Sequence, residues 1–148
     1  MKLTTRGRYA VTAMLDLTLH QGDTPVALGD IARRQGISQP YLEQLFAQLR
    51  RRGLVVSTRG PGGGYGLGRE AQAISVADII NAVSEPLHCY QDGGDCQDAR
   101  CCLSQELWVE LTEHIRGFLA GVTLADLVRR QRMPAKAERP CLPMERLR

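Results

Sequence analysis

The run Arg59-Gly60-Pro61-Gly62-Gly63-Gly64-Tyr65 constrains the fold more than any other stretch of this chain. Four of its seven residues are glycine, and it joins two short β-prone runs, Leu54-Val55-Val56-Ser57-Thr58 and Tyr65-Gly66-Leu67. That is the pattern of a hairpin closed by a tight loop. Upstream, residues 28–35 read as a short helix stopped by Gly36. Ser38 is a good N-cap for a second helix over 39–52, with Pro40 tolerated in its first turn and Gly53 closing it. Helix, glycine turn, helix, strand, glycine loop, strand is the order of a winged helix-turn-helix. That fold lays one helix in the DNA major groove and a hairpin beside it.

The rest of the chain is read around this unit. Tyr9, Ala10, Ala13, Met14 and Leu17 recur at intervals of three and four and predict a helix over 7–20, broken at Gln21-Gly22-Asp23-Thr24-Pro25. Ser75-Val76-Ala77-Asp78 resembles a capping box and starts a helix that runs to about Ser84. Residues 86–102 read as a loop with glycines, acids and four cysteines. Ser104 begins a long helix striped by Leu107, Trp108, Leu111, Ile115, Phe118, Leu119 and Val122, and Thr123 with Asp126 restarts or continues helix to about Arg130. The tail from Met133 to Arg148 has three prolines and no periodicity and is expected to be disordered.

Charge is unevenly placed. Residues 1–70 hold ten Lys+Arg against five Asp+Glu, whereas 71–148 hold nine against eleven. A basic half that coincides with the helix-turn-helix suits a polyanion-binding surface. No apolar run reaches bilayer length and no secretory signal is read at the start, so a cytoplasmic, membrane-free protein is expected.

On the 39–52 helix, Leu42, Leu45, Phe46 and Leu49 face the core, which leaves Tyr41, Glu43, Gln44, Gln48, Arg51 and Arg52 on or near the open face. Gln44 can pair bidentately with adenine and Glu43 can accept from cytosine N4, while Arg50, Arg51 and Arg52 can meet phosphates. Glu43 can also exclude sites, because a carboxylate repels phosphate and rejects bases that offer no donor. The alternative is a merely solvated helix face. In the loop, glycines 60, 62 and 63 bring backbone close to a phosphate, and Arg59, the one charge there, suits a narrow minor groove. A flexible hairpin turn is the bland alternative. The stripe of the 104–122 helix exceeds what the small winged-helix core can cover, and reads either as a dimer seam or as packing back on its own domain.

Cys89, Cys96, Cys101 and Cys102 cluster, with Cys141 apart in the tail. Clustered cysteines in a chain without an export signal point to metal or redox chemistry rather than a disulfide scaffold. The spacing is looser than that of zinc ribbons and fits a loop around something larger than one ion; zinc and free redox-active thiols are the alternatives.

Taken together, Gly7 to Asp16, Gln35-Gly36-Ile37-Ser38, Tyr41-Leu42-Glu43-Gln44-Leu45-Phe46 and the Arg59–Tyr65 loop resemble the iron–sulfur cluster regulators of bacteria, the IscR type, within a larger family of winged-helix repressors. The resemblance runs from Met1 to about Arg130. It implies a homodimeric transcription factor that binds a 2Fe–2S cluster through three cysteines and a histidine, with cluster occupancy deciding which promoters are bound; a 4Fe–4S cluster is the variant seen in a nitric-oxide-sensing branch. Carried over, the cysteine ligands fall on Cys89, Cys96 and Cys102. The fourth ligand should lie three residues further on, where this chain has Gln105 instead of histidine. His88, Cys101, Glu106, water or a group of a partner chain are the other candidates.

The resulting expectation is a mainly α protein with a small β-hairpin wing. It comprises a DNA-binding domain over 1–84, a cysteine-rich cluster loop over 85–103, a dimerisation helix region over 104–132 and a tail over 133–148. Its expected function is that of a regulator, most simply a repressor, binding a two-fold operator in double-stranded DNA and controlling iron–sulfur assembly genes. The alternatives are a cluster-free thiol-sensing regulator and, from another class, a small iron–sulfur electron-transfer protein. No nucleophile–base–orienter set suggests an enzyme.

Overall fold

A computed structural model describes residues 4–84 and 99–132, apart from the side chains of 99–105. The order is α1 (Thr5–His20), α2 (Leu28–Gln35), α3 (Gln39–Arg51), β1 (Val55–Thr58), β2 (Gly64–Leu67), a 3-10 turn at Ala71–Ala73, α4 (Val76–Val83), α5 (Ala99–Ala120) and α6 (Leu124–Arg132). This is the expected mainly helical winged helix with one hairpin. β1 and β2 pair antiparallel, with Val55 opposite Leu67 and Thr58 opposite Gly64. Val26, just ahead of α2, adds a bridge to Tyr65 through paired backbone bonds of 2.9 and 2.8 Å, so the hairpin is docked onto the domain along β2.

Two helix starts are earlier than the sequence pattern suggests. α1 begins at Thr5, because the Thr4 hydroxyl accepts from the Gly7 N–H and caps the helix two residues sooner. α5 begins at Ala99 rather than Ser104, so the backbone of Cys101 and Cys102 is helical. Ala, Arg and Leu favour helix, and nothing in Ala99–Leu103 breaks it. Ser38 holds the N-cap position of α3, but its hydroxyl makes no cap bond.

The core lies where α1, α3 and α4 meet. Ala10, Ala13, Met14 and Leu17 of α1, Leu42, Leu45, Phe46 and Leu49 of α3, and Ile79 and Val83 of α4 are buried. The Ser75–Asp78 capping box forms as expected. Thr123 and Asp126 form a matching reciprocal pair at the start of α6: the Asp126 carboxylate accepts from the Thr123 N–H at 3.1 Å, and the Thr123 hydroxyl accepts from the Asp126 N–H at 3.2 Å. Ser75 and Thr123 are themselves bridged, with Val76 N–H on the Val122 carbonyl at 2.8 Å and Leu124 N–H on the Ile74 carbonyl at 2.9 Å. The C-terminal end of α5 is thereby fastened to α4.

A buried ion pair sets the angle between α1 and α2. Asp16 lies on the buried side of α1 at 2% exposure. Its carboxylate accepts from Arg34 Nε at 3.1 Å and Gln35 Nε2 at 2.6 Å, with His20 Nδ1 3.3 Å away. Burial pushes this carboxyl up. The hydrogen bonds from Arg34 and Gln35, with the charges of Arg34 and His20, outweigh burial and hold it below its ordinary value. The α1 stripe as read from sequence contains only apolar residues and misses Asp16. The available signal is its spacing, three residues beyond Ala13 on the same face.

Candidate nucleic-acid interface

α3 is sharply two-faced. Leu42, Leu45, Phe46 and Leu49 are buried, and Glu43, Gln44, Arg50, Arg51 and Arg52 are exposed. Spacings of three and four put the apolar residues on one stripe and leave the polar ones outside. Tyr41 departs from the expected open position. It is half-buried and meets the ring of Tyr9 edge-on, 5.9 Å between centroids at 84°. Tyr9, expected inside the α1 stripe, is correspondingly 40% exposed. The two phenols form one pair where α1 crosses the first turn of α3.

The wing is built by its glycines, though not all for the reason the sequence suggests. Gly63 N–H returns to the Gly60 carbonyl at 2.9 Å, which puts Pro61 and Gly62 at the two central positions of the turn. Gly62 has φ 75° and Gly60 φ 108°, values that L side chains rarely adopt. Gly63 is closed to a side chain by its own hairpin: a Cβ there would stand 2.3 Å from the Thr58 carbonyl oxygen. Gly60, Pro61 and Gly62 form the exposed tip, beside exposed Arg59.

Two contacts join helix and wing. Phe46 packs edge-on to Tyr65 of β2, 4.9 Å between centroids at 71°. Arg50 Nη1 donates to the Ser57 hydroxyl of β1 at 3.2 Å, so the side chain expected to meet phosphate also ties α3 to the hairpin. Arg69, which the sequence reading passes over, donates to the Arg52 carbonyl at 3.4 Å and adds a cation at the C-terminal end of α3. The helix that carries exposed Glu43, Gln44 and Arg50 is thus tied to the hairpin that carries exposed Arg59 and the Gly60–Gly62 tip.

The cysteine residues are less fully placed. Cys89, Cys96, His88 and Cys141 lie outside the described residues. Cys102 and Gln105 fall in α5, three residues and so one helical turn apart. Among the described residues, no group of three His, Cys, Asp or Glu side chains could hold a metal ion. The three thiols suit iron and sulfide by their softness; the carboxamide of Gln105 does not.

Among the described residues, five of the seven large apolar side chains left exposed are on α5: Leu107, Trp108, Val109, Leu111 and Phe118. Val122 and Leu119, at its far end, pack against Val76 and Ile80 instead. No helix of the described residues is long and apolar enough to cross a membrane.

A bound hairpin beside an exposed polar helix defines a winged-helix DNA-binding fold, and comparison with known proteins agrees. The model of the Rrf2 family, described as iron-dependent transcriptional regulator, matches residues 3–130. The HTH-type transcriptional regulator IscR of Yersinia pseudotuberculosis is 53% identical over 141 residues, covering 94% of this chain and 86% of that protein. The structure of T. potens IscR matches with a TM-score of 0.76 at 40% identity and covers 93% of each chain. That of CymR, the global cysteine regulator of B. subtilis, matches with a TM-score of 0.73 at 37% identity, over 88% of this chain and 98% of that one. This chain belongs to the Rrf2 family of helix-turn-helix transcriptional regulators.

Proposed function

We propose that this chain is a cytoplasmic, homodimeric repressor that binds a two-fold operator in double-stranded DNA and senses iron–sulfur status through a bound cluster. The observation that carries the DNA-binding part is the joining of the exposed α3 face to the glycine wing through Phe46–Tyr65 and Arg50–Ser57. A fixed angle between helix and hairpin lets one domain address a major groove and its neighbouring minor groove together. In this reading Gln44 and Glu43 meet base edges, Arg50 and its neighbours meet phosphates, and Tyr41 steadies the first turn of α3. Arg59, with Gly60, Gly62 and Gly63 shaping the loop behind it, enters the minor groove. The face of α5 that carries Leu107, Leu111 and Phe118 is the dimer seam, since large apolar side chains left exposed along one helix face mark an association surface.

Cys89, Cys96 and Cys102 are the residues that hold the cluster, which when bound supplies an oxygen-labile group whose presence or loss selects between operators. Gln105, one helical turn past Cys102, is the residue proposed as fourth ligand. As a neutral amide it holds iron weakly, so this chain releases its cluster more readily than one with imidazole there. The test is anaerobic reconstitution of the full chain, followed by visible absorbance in air and by iron and sulfide counts. Cys96→Ser is expected to abolish cluster binding and Gln105→His to slow decay. If Gln105→His decays as fast as wild type while His88→Ala decays much faster, the fourth ligand is elsewhere. If no variant holds iron and sulfide, the protein is a thiol-based regulator. CymR, described as a global cysteine regulator, fits that second reading, but the T. potens IscR structure is the more similar of the two, with a TM-score of 0.76 against 0.73.

A further inference from the structure

We propose that Gln39 is a specificity-determining positioning residue: it orients the Glu43 carboxylate on the DNA-facing side of α3 without neutralising it. The inference rests on the DNA-binding reading above and extends it to a residue outside the base-reading set.

Gln39 is the first residue of α3 and Glu43 stands one turn below it. Residues four apart lie on the same face of a helix, and here the contact is made: Gln39 Nε2 donates to Glu43 Oε1 at 3.2 Å. The other end of the carboxamide is seated against α2. Gln39 Oε1 lies over Gly29, 3.4 Å from where a Cβ would stand, so the nitrogen is the end turned toward Glu43. Both side chains are exposed, on the same side of the helix as the candidate base-reading residues.

The chemistry of the partner is what matters. Cations abound on this surface, yet among the described residues Glu43 forms no ion pair with any of them. An arginine or lysine partner would cancel the charge with which a carboxylate repels acceptor-only base edges. A primary amide fixes the carboxylate through one N–H and leaves its charge intact. A carboxylate held in one rotamer meets one base edge, whereas a free one samples several and discriminates less.

The experiment is enrichment of sites from a randomised duplex pool by the full-length wild type, followed by competition of the enriched duplex against its single-base variants. Gln39→Leu, Glu43→Ala and the double variant are then compared. Gln39 is exposed in a first turn, so all three are expected to fold, with unchanged circular dichroism. The expected result for Gln39→Leu is a loss of discrimination of about twofold per half-site, the scale of a surface i,i+4 pair, at the same base positions that Glu43→Ala relaxes. Affinity for random duplex should not change, and Gln39→Leu should add nothing in the Glu43→Ala background. Unaltered discrimination in Gln39→Leu overturns the proposal. So does an equal loss in the Glu43→Ala background, which would make Gln39 a base reader in its own right. Failure of the wild type to enrich any sequence is a separate result: it removes the DNA-binding reading itself, and the role of Gln39 with it.

Discussion

Phe46 in α3 is fully buried against Tyr65, whereas Phe118, the only other phenylalanine of the chain, is 68% exposed on α5. The two rings have the same transfer free energy from water, so the difference lies in what the fold offers each. The half of the molecule from Thr4 to Ser84 is closed with one residue from outside it: α1, α3 and α4 bury each other's apolar stripes together with Leu124 of α6, and the hairpin is fastened by Val26 and Tyr65. Among the described residues, α5 is fastened near its C-terminal end, by the Ser75–Thr123 bridge and by Leu119 and Val122. Upstream of that, Leu107, Trp108, Val109, Leu111 and Phe118 are exposed. A region that satisfies itself carries stability. One that leaves Leu107, Trp108, Leu111 and Phe118 exposed among the described residues offers an apolar surface to a partner, which is the physical content of the proposed homodimer.

The largest expected effect tests the closed half. Phe46→Ala removes a fully buried ring and should lower unfolding free energy by about 3–5 kcal/mol in chemical denaturation, with loss of DNA binding as the wing loosens. A loss below about 1 kcal/mol would show that α3 and the hairpin are not held by this contact.

The ion pair between α1 and α2 comes next. Asp16→Ala leaves Arg34 and Gln35 without their shared acceptor. Truncating one partner of a buried pair costs about 3–5 kcal/mol, and partial exposure of Arg34 places the expectation near the lower end. Because the folded-state pKa of Asp16 is depressed, its contribution is present above the ordinary carboxylate value of 3.8 and is lost as pH falls through the lowered folded value. Asp16→Asn should therefore flatten the acid limb of the stability profile below that value. An identical acid limb in wild type and variant would mean that other carboxylates govern acid unfolding.

Arg59→Ala should leave folding unchanged, since the side chain is exposed, and weaken specific operator binding by about 1–3 kcal/mol. Binding by the wild type should fall steeply with salt, each neutralised phosphate adding about −0.9 to the log–log slope. A flat salt response in mobility-shift assays would count against the groove model as a whole.

The smallest effect on folding belongs to α5, and it bears most directly on the contrast between the two rings. Phe118→Asp should change the stability of the isolated chain by no more than about 0.5 kcal/mol, because the ring is already in water. The same substitution should shift a dimer to monomer in sedimentation at micromolar concentration. Unfolding of the variant would place Phe118 in an intramolecular core, and a wild type monomeric without DNA would remove the seam.

Much of the closed half was legible in the residues because its signals are local. The three- and four-residue spacing of Leu42, Leu45, Phe46 and Leu49, the stop at Gly36, the Ser75–Asp78 cap and the Gly60–Gly64 loop each act within one element, and they fixed the order and type of the elements to within a few residues. The start of α5 was misplaced because Ser104 is compatible with a cap and with a helix interior alike, and the choice depends on the residues before it.

The sequence alone therefore determined the winged-helix order, the two-faced character of α3 and the need for glycine at the tip of the hairpin, since helical periodicity and backbone sterics require no distant partner. Only the tertiary structure decided that Asp16 holds Arg34, that Tyr41 turns inward to Tyr9, that Arg50 reaches Ser57, and that, among the described residues, Leu107, Leu111 and Phe118 of α5 are exposed while Leu119 packs on α4. Those facts depend on which elements approach each other and at what angle. A residue's own periodicity says which way it points along its element, and is silent about what stands opposite.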